Sequence, residues 1–182
     1  MAKPLLFIHS SGSQEGSEGS NDLIESLKQA LGSDYVIEHP LMPQPDAPLY
    51  ANWKQAVADA LAAINDEVIL VGHSLGGTVL VKYLSEEVVD QPIRALFTIA
   101  APYWGSDGRK VEDFNLREDF AAALPEIPQI YLYQSSDDEE VPLSHLHNYA
   151  EQLPQATVRQ VSGCGHLFRE GSPELVDDIK RL

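Results

Sequence analysis

The pentapeptide Gly72-His73-Ser74-Leu75-Gly76 joins two segments of different periodicity. Before it, Glu67-Val68-Ile69-Leu70-Val71 is a short β-branched run, the pattern of a buried strand. After it, Gly77 to Leu84 repeats apolar residues at helical spacing. Gly-x-Ser-x-Gly between a strand and a helix predicts a sharp turn that lifts a serine hydroxyl above a sheet. Such a turn strains the serine backbone and needs small neighbours. Gly72 and Gly76 leave the room, and Gly77 lets the helix pack close. The free N–H groups and dipole of that helix favour negative charge developing beside the hydroxyl. The five-residue pattern alone occurs by chance. Its flanks make Ser74 a candidate nucleophile rather than an incidental serine on a glycine-rich turn.

The 182 residues suit one domain, 1–182, with a sizeable core. No apolar stretch approaches the roughly 20 residues of a transmembrane helix. The opening Leu5-Leu6-Phe7-Ile8 is too short for a secretory signal and reads as the first strand. A single cysteine excludes an internal disulfide framework and a cysteine-rich zinc site, which fits a reducing cytoplasm. The net charge of −16 argues against nucleic acid and anionic membranes as partners, since both need clustered Lys and Arg. It reads first as a solubility feature.

The remaining chain alternates strand and helix patterns. Strands are predicted at Tyr35-Val36-Ile37-Glu38, Ile93 to Ile99, Gln129 to Tyr133 and Thr157 to Val161. Helices are predicted over Asn21 to Leu31, from Asn52 (with Gln55 at capping-box spacing), over Pro142 to Leu153, and from Ser172-Pro173 onward. The four prolines between His39 and Pro48 predict a stiff connection. Pro102 to Ile127 breaks the rhythm and reads as a short cap excursion with one or two short helices. Alternation of this kind implies an α/β fold: about six strands, mostly parallel, with helices on both faces. Ligands of such sheets sit beyond the carboxyl ends of the strands. Ser11, Ser74, Asp138 and His166 all follow a predicted strand end.

A serine hydroxyl needs a base, and the base needs a partner that fixes its tautomer. On this architecture the order along the chain is Ser, acid, His. His166, on the glycine-flanked turn Ser162-Gly163-Cys164-Gly165-His166, is the predicted base. His39, His145 and His147 read as surface residues. His73 reads as packing beneath the turn, and His9 as ordering the first loop by hydrogen bonding. The acid lies in Ser135-Ser136-Asp137-Asp138-Glu139-Glu140-Val141-Pro142. Its position relative to Val141-Pro142 favours Asp138, with Asp137 as the rival. The oxyanion donors are expected to be the amide of Leu75 and that of Ser11, with Ser10 as the rival. His9, Ser10, Tyr103, Trp104 and Phe114 are the candidate pocket residues, the aromatics being equally explicable as packing. Cys164 reads as a small packed residue.

These residues resemble a known family. Gly72-His73-Ser74-Leu75-Gly76-Gly77 together with Gly163-Cys164-Gly165-His166 is similar to the α/β-hydrolases. The length, Asp138-x-x-Val141-Pro142, and Leu41-Met42-Pro43 through Pro48 to Trp53 resemble the small YdeN/retinoblastoma-binding protein 9 branch. The resemblance runs from about Leu5 to the C-terminus. It implies a serine hydrolase with Ser74, Asp138 and His166 as triad, and no metal. In family members the first loop is commonly richer in glycine; here it is His9-Ser10-Ser11-Gly12. Binding to the retinoblastoma protein is not implied, because the single cysteine lacks the Leu-x-Cys-x-Glu context.

The expectation is an esterase-like serine hydrolase. It would act on a carboxylic ester or similar acyl bond of a small to medium substrate, through an acyl-enzyme on Ser74 and without a cofactor. A peptidase, thioesterase or acyltransferase would carry the same triad. A binding protein on a hydrolase fold is the alternative from another class, and its usual sign is loss of a triad member. A nucleotide-binding domain is disfavoured, because neither a P-loop nor Gly-x-Gly-x-x-Gly follows the first strand.

Overall fold

The strand predictions translate into one sheet in the computed structural model, which describes residues 2–104 and 112–182. The strands are β1 (Lys3–Ile8), β2 (Tyr35–Glu38), β3 (Val68–His73), β4 (Ile93–Ile99), β5 (Ile130–Ser135) and β6 (Thr157–Val161). They run in the order β2-β1-β3-β4-β5-β6 with every pair parallel. All positions of β3 and β5 are buried, whereas the edge strands β2 and β6 alternate between half-buried and exposed. Helices cover a parallel sheet on both faces, so its inner strands read as continuous apolar runs.

The period of two along β1 divides the core. Leu5 and Phe7 face α1 (Asn21–Leu31) and α6 (Pro173–Lys180), packing with Leu23, Leu27, Leu175 and Ile179. Leu6 and Ile8 face α2 (Tyr50–Ala62), α3 (Leu75–Glu86) and α5 (Ser144–Gln152), packing with Trp53, Val57, Val79, Leu146 and Tyr149. The chain adds β2 on one side of β1 and then crosses back to add β3 on the other. The connections leaving β1 and β3 therefore diverge, and a crevice opens between their carboxyl ends.

Two local expectations meet different outcomes. The last helix starts as its sequence indicates: the Ser172 side chain accepts from the Leu175 amide at 3.2 Å, with Pro173 in the first turn. The capping box at Asn52 does not form. Helix α2 starts two residues earlier at Tyr50, behind Leu49, with no side-chain cap. The Asn52 amide instead donates to Gln44 at 3.3 Å. Tertiary packing seats this helix: Trp53 is fully buried, and its indole N–H donates to the Pro43 carbonyl at 2.8 Å. The proline-rich connection is also clasped by the first loop. The Gln14 side chain accepts from the Met42 amide at 2.8 Å and donates to the Met42 carbonyl at 3.2 Å.

The excursion from 102 to 127 holds a 3₁₀ turn at Glu112–Phe114 and one helical turn, α4 (Phe120–Ala123). Its residues 105–111 lie outside the described residues. No described helix is long and apolar enough to cross a membrane.

Candidate functional site

Ser74 sits at the turn between β3 and α3 with φ +50° and ψ −121°, a conformation that costs a non-glycine residue of order 1–3 kcal/mol. The surroundings hold it there. Its amide donates to the Ile99 carbonyl of β4 at 2.7 Å. A Cβ on Gly72 would lie 2.6 Å from the Gly76 carbonyl, and one on Gly76 would lie 2.3 Å from the Ile8 carbonyl. The second contact matters for function. It presses the N-terminus of α3 against the end of β1 and so brings the Leu75 amide beside the first loop.

His166 approaches from the turn after β6. Its Nε2 lies 3.0 Å from Ser74 Oγ, and its Nδ1 lies 2.9 Å from Asp138 Oδ2. A carboxylate only accepts, so Nδ1 carries the proton and Nε2 offers its lone pair to the serine hydroxyl. Asp138 is itself saturated. Oδ1 accepts from the amides of Glu140 and Val141 at 2.8 and 2.9 Å, and Oδ2 accepts from the Gln134 amide at 2.6 Å. Burial works against the charged carboxyl. The hydrogen bonds from His166 and the two amides outweigh it and hold the Asp138 pKa below the ordinary value.

The neighbouring carboxylate has a different job. Asp137 makes no hydrogen bond to His166 among the described residues. It accepts from the Ser135 hydroxyl and from the amides of Gly163 and Gly165, at 2.9 and 3.4 Å for the amides. The Ser135 bond, then the amides, pull its pKa below the ordinary value. The Ser135 hydroxyl in turn accepts from the Cys164 amide at 3.2 Å. Asp137 thus holds the turn that presents the histidine, while Asp138 holds the histidine.

On the other side of Ser74, the Ser10 amide is engaged: it donates to Ser20 Oγ at 2.9 Å. The amides of Ser11 and Leu75 have no acceptor among the described residues. The two grooves beside the serine differ in character. One, of about 590 Å³, is lined by Pro45, Pro48, Leu49, Leu75, Trp104 and Phe114, among others. The other, of about 320 Å³, contains Ser74 and His166 themselves and is lined by Ser10, Ser13, Glu18, Glu140 and Arg169, among others. Glu140 Oε2 lies 3.7 Å from His166 Nε2. A larger hollow of about 790 Å³ lies outside the base turn, lined by Asp137, Glu139 and Glu170 among others, and does not include Ser74.

Two pocket expectations, His9 and Tyr103, need correction. His9 is fully buried beneath the loop and lines neither groove. Both its ring nitrogens lack a hydrogen-bond partner among the described residues, so it does not order the loop by hydrogen bonding. Burial, reinforced by the neighbouring His39, lowers its pKa to about 4. Tyr103 turns inward, its ring 4.9 Å from Tyr149 and 6.2 Å from Phe120. Ser10 borders the polar groove, yet its amide and hydroxyl are both turned to Ser20. Trp104 borders the apolar groove as expected, and Phe114 borders it while packing edge-on against Tyr50.

Sequence reasoning missed Gln134, Asp137 as a turn anchor, and the Ser20–His73 pair. None carries a motif: Asp137 and the Ser20–His73 pair act through partners distant in the chain, and Gln134 acts within its own strand-end turn on Asp138. Burial raises the Cys164 thiol pKa, with Asp137 and Glu174 adding to the effect, which suits a packed residue rather than a nucleophile. Among the described residues, no group of three or more His, Cys, Asp and Glu side chains is placed to hold a metal ion.

Comparison with known proteins agrees with this geometry. No curated protein matches the sequence. Solved structures match in fold. The ydeN gene product of B. subtilis aligns at TM-score 0.74 and 17% identity, covering 99% of this chain and 98% of that one. The serine hydrolase CarC, involved in carbazole degradation, aligns at 0.72 and 16%, covering 99% and 90%. Est1E from Butyrivibrio proteoclasticus aligns at 0.69 and 18%, covering 99% and 86%. Identities this low establish the fold, that of the α/β-hydrolases. A family model described as serine hydrolase matches residues 16–172, most of the chain and all three residues of the Ser74–His166–Asp138 chain. The protein belongs to the serine hydrolase family.

Proposed function

We propose that the protein hydrolyses a carboxylic ester, or a similarly activated acyl bond, through an acyl-enzyme on Ser74. The observation that carries the reading is the unbroken chain from Ser74 Oγ to His166 at 3.0 Å and from His166 to Asp138 at 2.9 Å. As Ser74 Oγ attacks the acyl carbon, its proton passes to His166 Nε2. Asp138 stays ionised and stabilises the imidazolium. The amides of Leu75 and Ser11 face the developing oxyanion. When the tetrahedral intermediate collapses, the bond to the leaving group breaks and Nε2–H protonates the departing oxygen. Water then repeats the sequence on the acyl-enzyme: His166 takes its proton, the carboxylic acid departs, and Ser74 regains its hydrogen.

The two grooves suggest how a substrate lies. An apolar arm of small to medium size fits beside Leu75, Trp104 and Phe114, and a polar arm fits beside His166 and Glu140. The test is labelling with a fluorophosphonate probe, followed by turnover of p-nitrophenyl esters of increasing acyl length. Labelling should appear in the wild type, vanish in Ser74→Ala and weaken sharply in His166→Ala. A well-folded wild type that takes no label would overturn the reading.

A further inference from the structure

We infer that His73, inside the elbow motif itself, is a positioning residue that sets the base and oxyanion sides of the site from one buried imidazole. The inference rests on the hydrolase reading above and extends it to residues outside the triad.

The protons along this chain of contacts can be counted. His73 is fully buried, and its Nε2 lies 2.9 Å from the His166 carbonyl oxygen. A carbonyl can only accept, so Nε2 carries a hydrogen. Burial, and the neighbouring His166 ring at 5.4 Å, lower the His73 pKa to about 3, so the ring is neutral and Nδ1 is bare. Nδ1 lies 2.9 Å from Ser20 Oγ, and the serine hydroxyl therefore donates to it. With its one proton committed, Ser20 Oγ accepts from the Ser10 amide at 2.9 Å and from the Ser10 hydroxyl at 3.2 Å. Ser10 precedes Ser11, whose amide faces the oxyanion position. Ser20 is fully buried and Ser10 nearly so.

One side chain thus touches the main chain of the base residue through Nε2–H. Through Ser20 it touches the loop that carries the second oxyanion donor. Because His73 adjoins Ser74, the nucleophile, the base and the oxyanion loop share one reference point. The His166 carbonyl makes the linkage directional, since the reverse tautomer would set a lone pair against an oxygen that can only accept. Each polar group in the chain is buried, so an unmade bond has no solvent to replace it.

Single changes separate the two arms. His73→Gln retains an N–H donor toward the His166 carbonyl and loses the acceptor for Ser20. Ser20→Ala loses the same arm from its other end. Each should lower kcat roughly 10²-fold, the scale of an ångström-level displacement of a catalytic group, with KM within about twofold. Because both cut one linkage, the double variant should be no slower than either single variant. In the wild type, ¹⁵N NMR of labelled histidine should show His73 protonated on Nε2 and bare on Nδ1, remaining neutral well below pH 6.5. Unchanged kcat in folded single variants, multiplicative losses in the double variant, or a proton on Nδ1 would each overturn the inference. If the variants do not fold, the wild-type tautomer still decides the linkage. Fluorophosphonate labelling of the wild type keeps the two readings apart. A labelled enzyme indifferent to Ser20→Ala refutes this inference alone. An unlabelled wild type removes the hydrolase reading and the positioning role with it.

Discussion

The loops on either side of Ser74 are held by different chemistry. The base side, after β5 and β6, hangs on two carboxylates: Asp138 grips the His166 ring and Asp137 grips the amides of Gly163 and Gly165. The oxyanion side, after β1, has no carboxylate at its Ser10–Gly12 end and hangs there on neutral groups: the Ser10 amide on Ser20, Ser20 on His73, and the Gly12 amide on the Pro45 carbonyl at 2.8 Å, with Arg169 holding the Ser17 carbonyl farther along. The division follows the work. In the proposed reaction the base side carries a transient imidazolium, which fixed negative charge beside it stabilises. The oxyanion side must present uncommitted N–H donors, and a carboxylate there would capture them or repel the oxyanion.

That contrast can be broken at single positions. The largest effect is expected from Asp138→Asn, which keeps the shape but presents an amide that can hold the wrong His166 tautomer. The fall in kcat/KM should be on the order of 10⁴, measured on any ester the wild type turns over. An effect below tenfold would mean that Asp138 is not the acid. Asp137→Ala should cost less, on the order of 10² in kcat, because it loosens the turn and leaves the ring's partner in place. If Asp137→Ala proves the more damaging of the two, the assignment of roles is reversed.

Acid should unsettle the neutral side through its buried imidazoles. Unfolded, His9 and His73 take a proton near pH 6.5; folded, they do so only near pH 4 and 3. Below pH 6.5 the unfolded chain therefore binds more protons. Stability is full above that pH and falls as pH drops toward 4, by about 3 kcal/mol for His9 alone. Denaturant melts across this range measure the slope. Asp138 adds a loss of the same sign at lower pH, because its folded pKa is depressed and its contribution disappears as the carboxylate is protonated.

The smallest effect is expected from His9→Leu. The change removes two buried nitrogens that have no hydrogen-bond partner among the described residues, beside Phe7 and His39. It should leave kcat within about twofold, raise stability by about 1–3 kcal/mol and flatten the acid slope. A large loss of activity would show that His9 does more than fill space. His9 and His73 follow adjacent paired positions, Ile8 and Gly72, at the ends of neighbouring strands, and both are fully buried. Among the described residues one is bonded at both nitrogens and the other at neither, a difference that composition and spacing do not contain.

How much could be read beforehand follows the range of each interaction. Strand and helix periods are local, so the elements and the parallel sheet were legible, as was Ser172 as a cap. Asn52 misled because its capping pattern competed with burial of Trp53, and burying an indole stabilises more than one cap does. Ser74, His166 and the Asp137-Asp138 pair could be placed past strand ends because the elbow glycines, the glycine-flanked turn and the Val141-Pro142 context are local signatures. The pocket was only partly legible. An aromatic residue has no local mark that says whether it faces a groove, as Trp104 does, or the core, as Tyr103 does.

The sequence by itself determined the alternation of strands and helices, the strained serine turn, and the order along the chain of a serine, an Asp137-Asp138 pair and a histidine, each past a strand end. All three are written in backbone preferences and short spacings. Only the tertiary structure decided between Asp137 and Asp138, and between the amides of Ser10 and Ser11. It alone gave the His73 ring two hydrogen-bond partners and the His9 ring none among the described residues. Those outcomes depend on which buried polar groups meet across loops 10 to 93 residues apart. A buried donor takes whichever acceptor the packed strands bring within about 3 Å, and no local pattern encodes that distance.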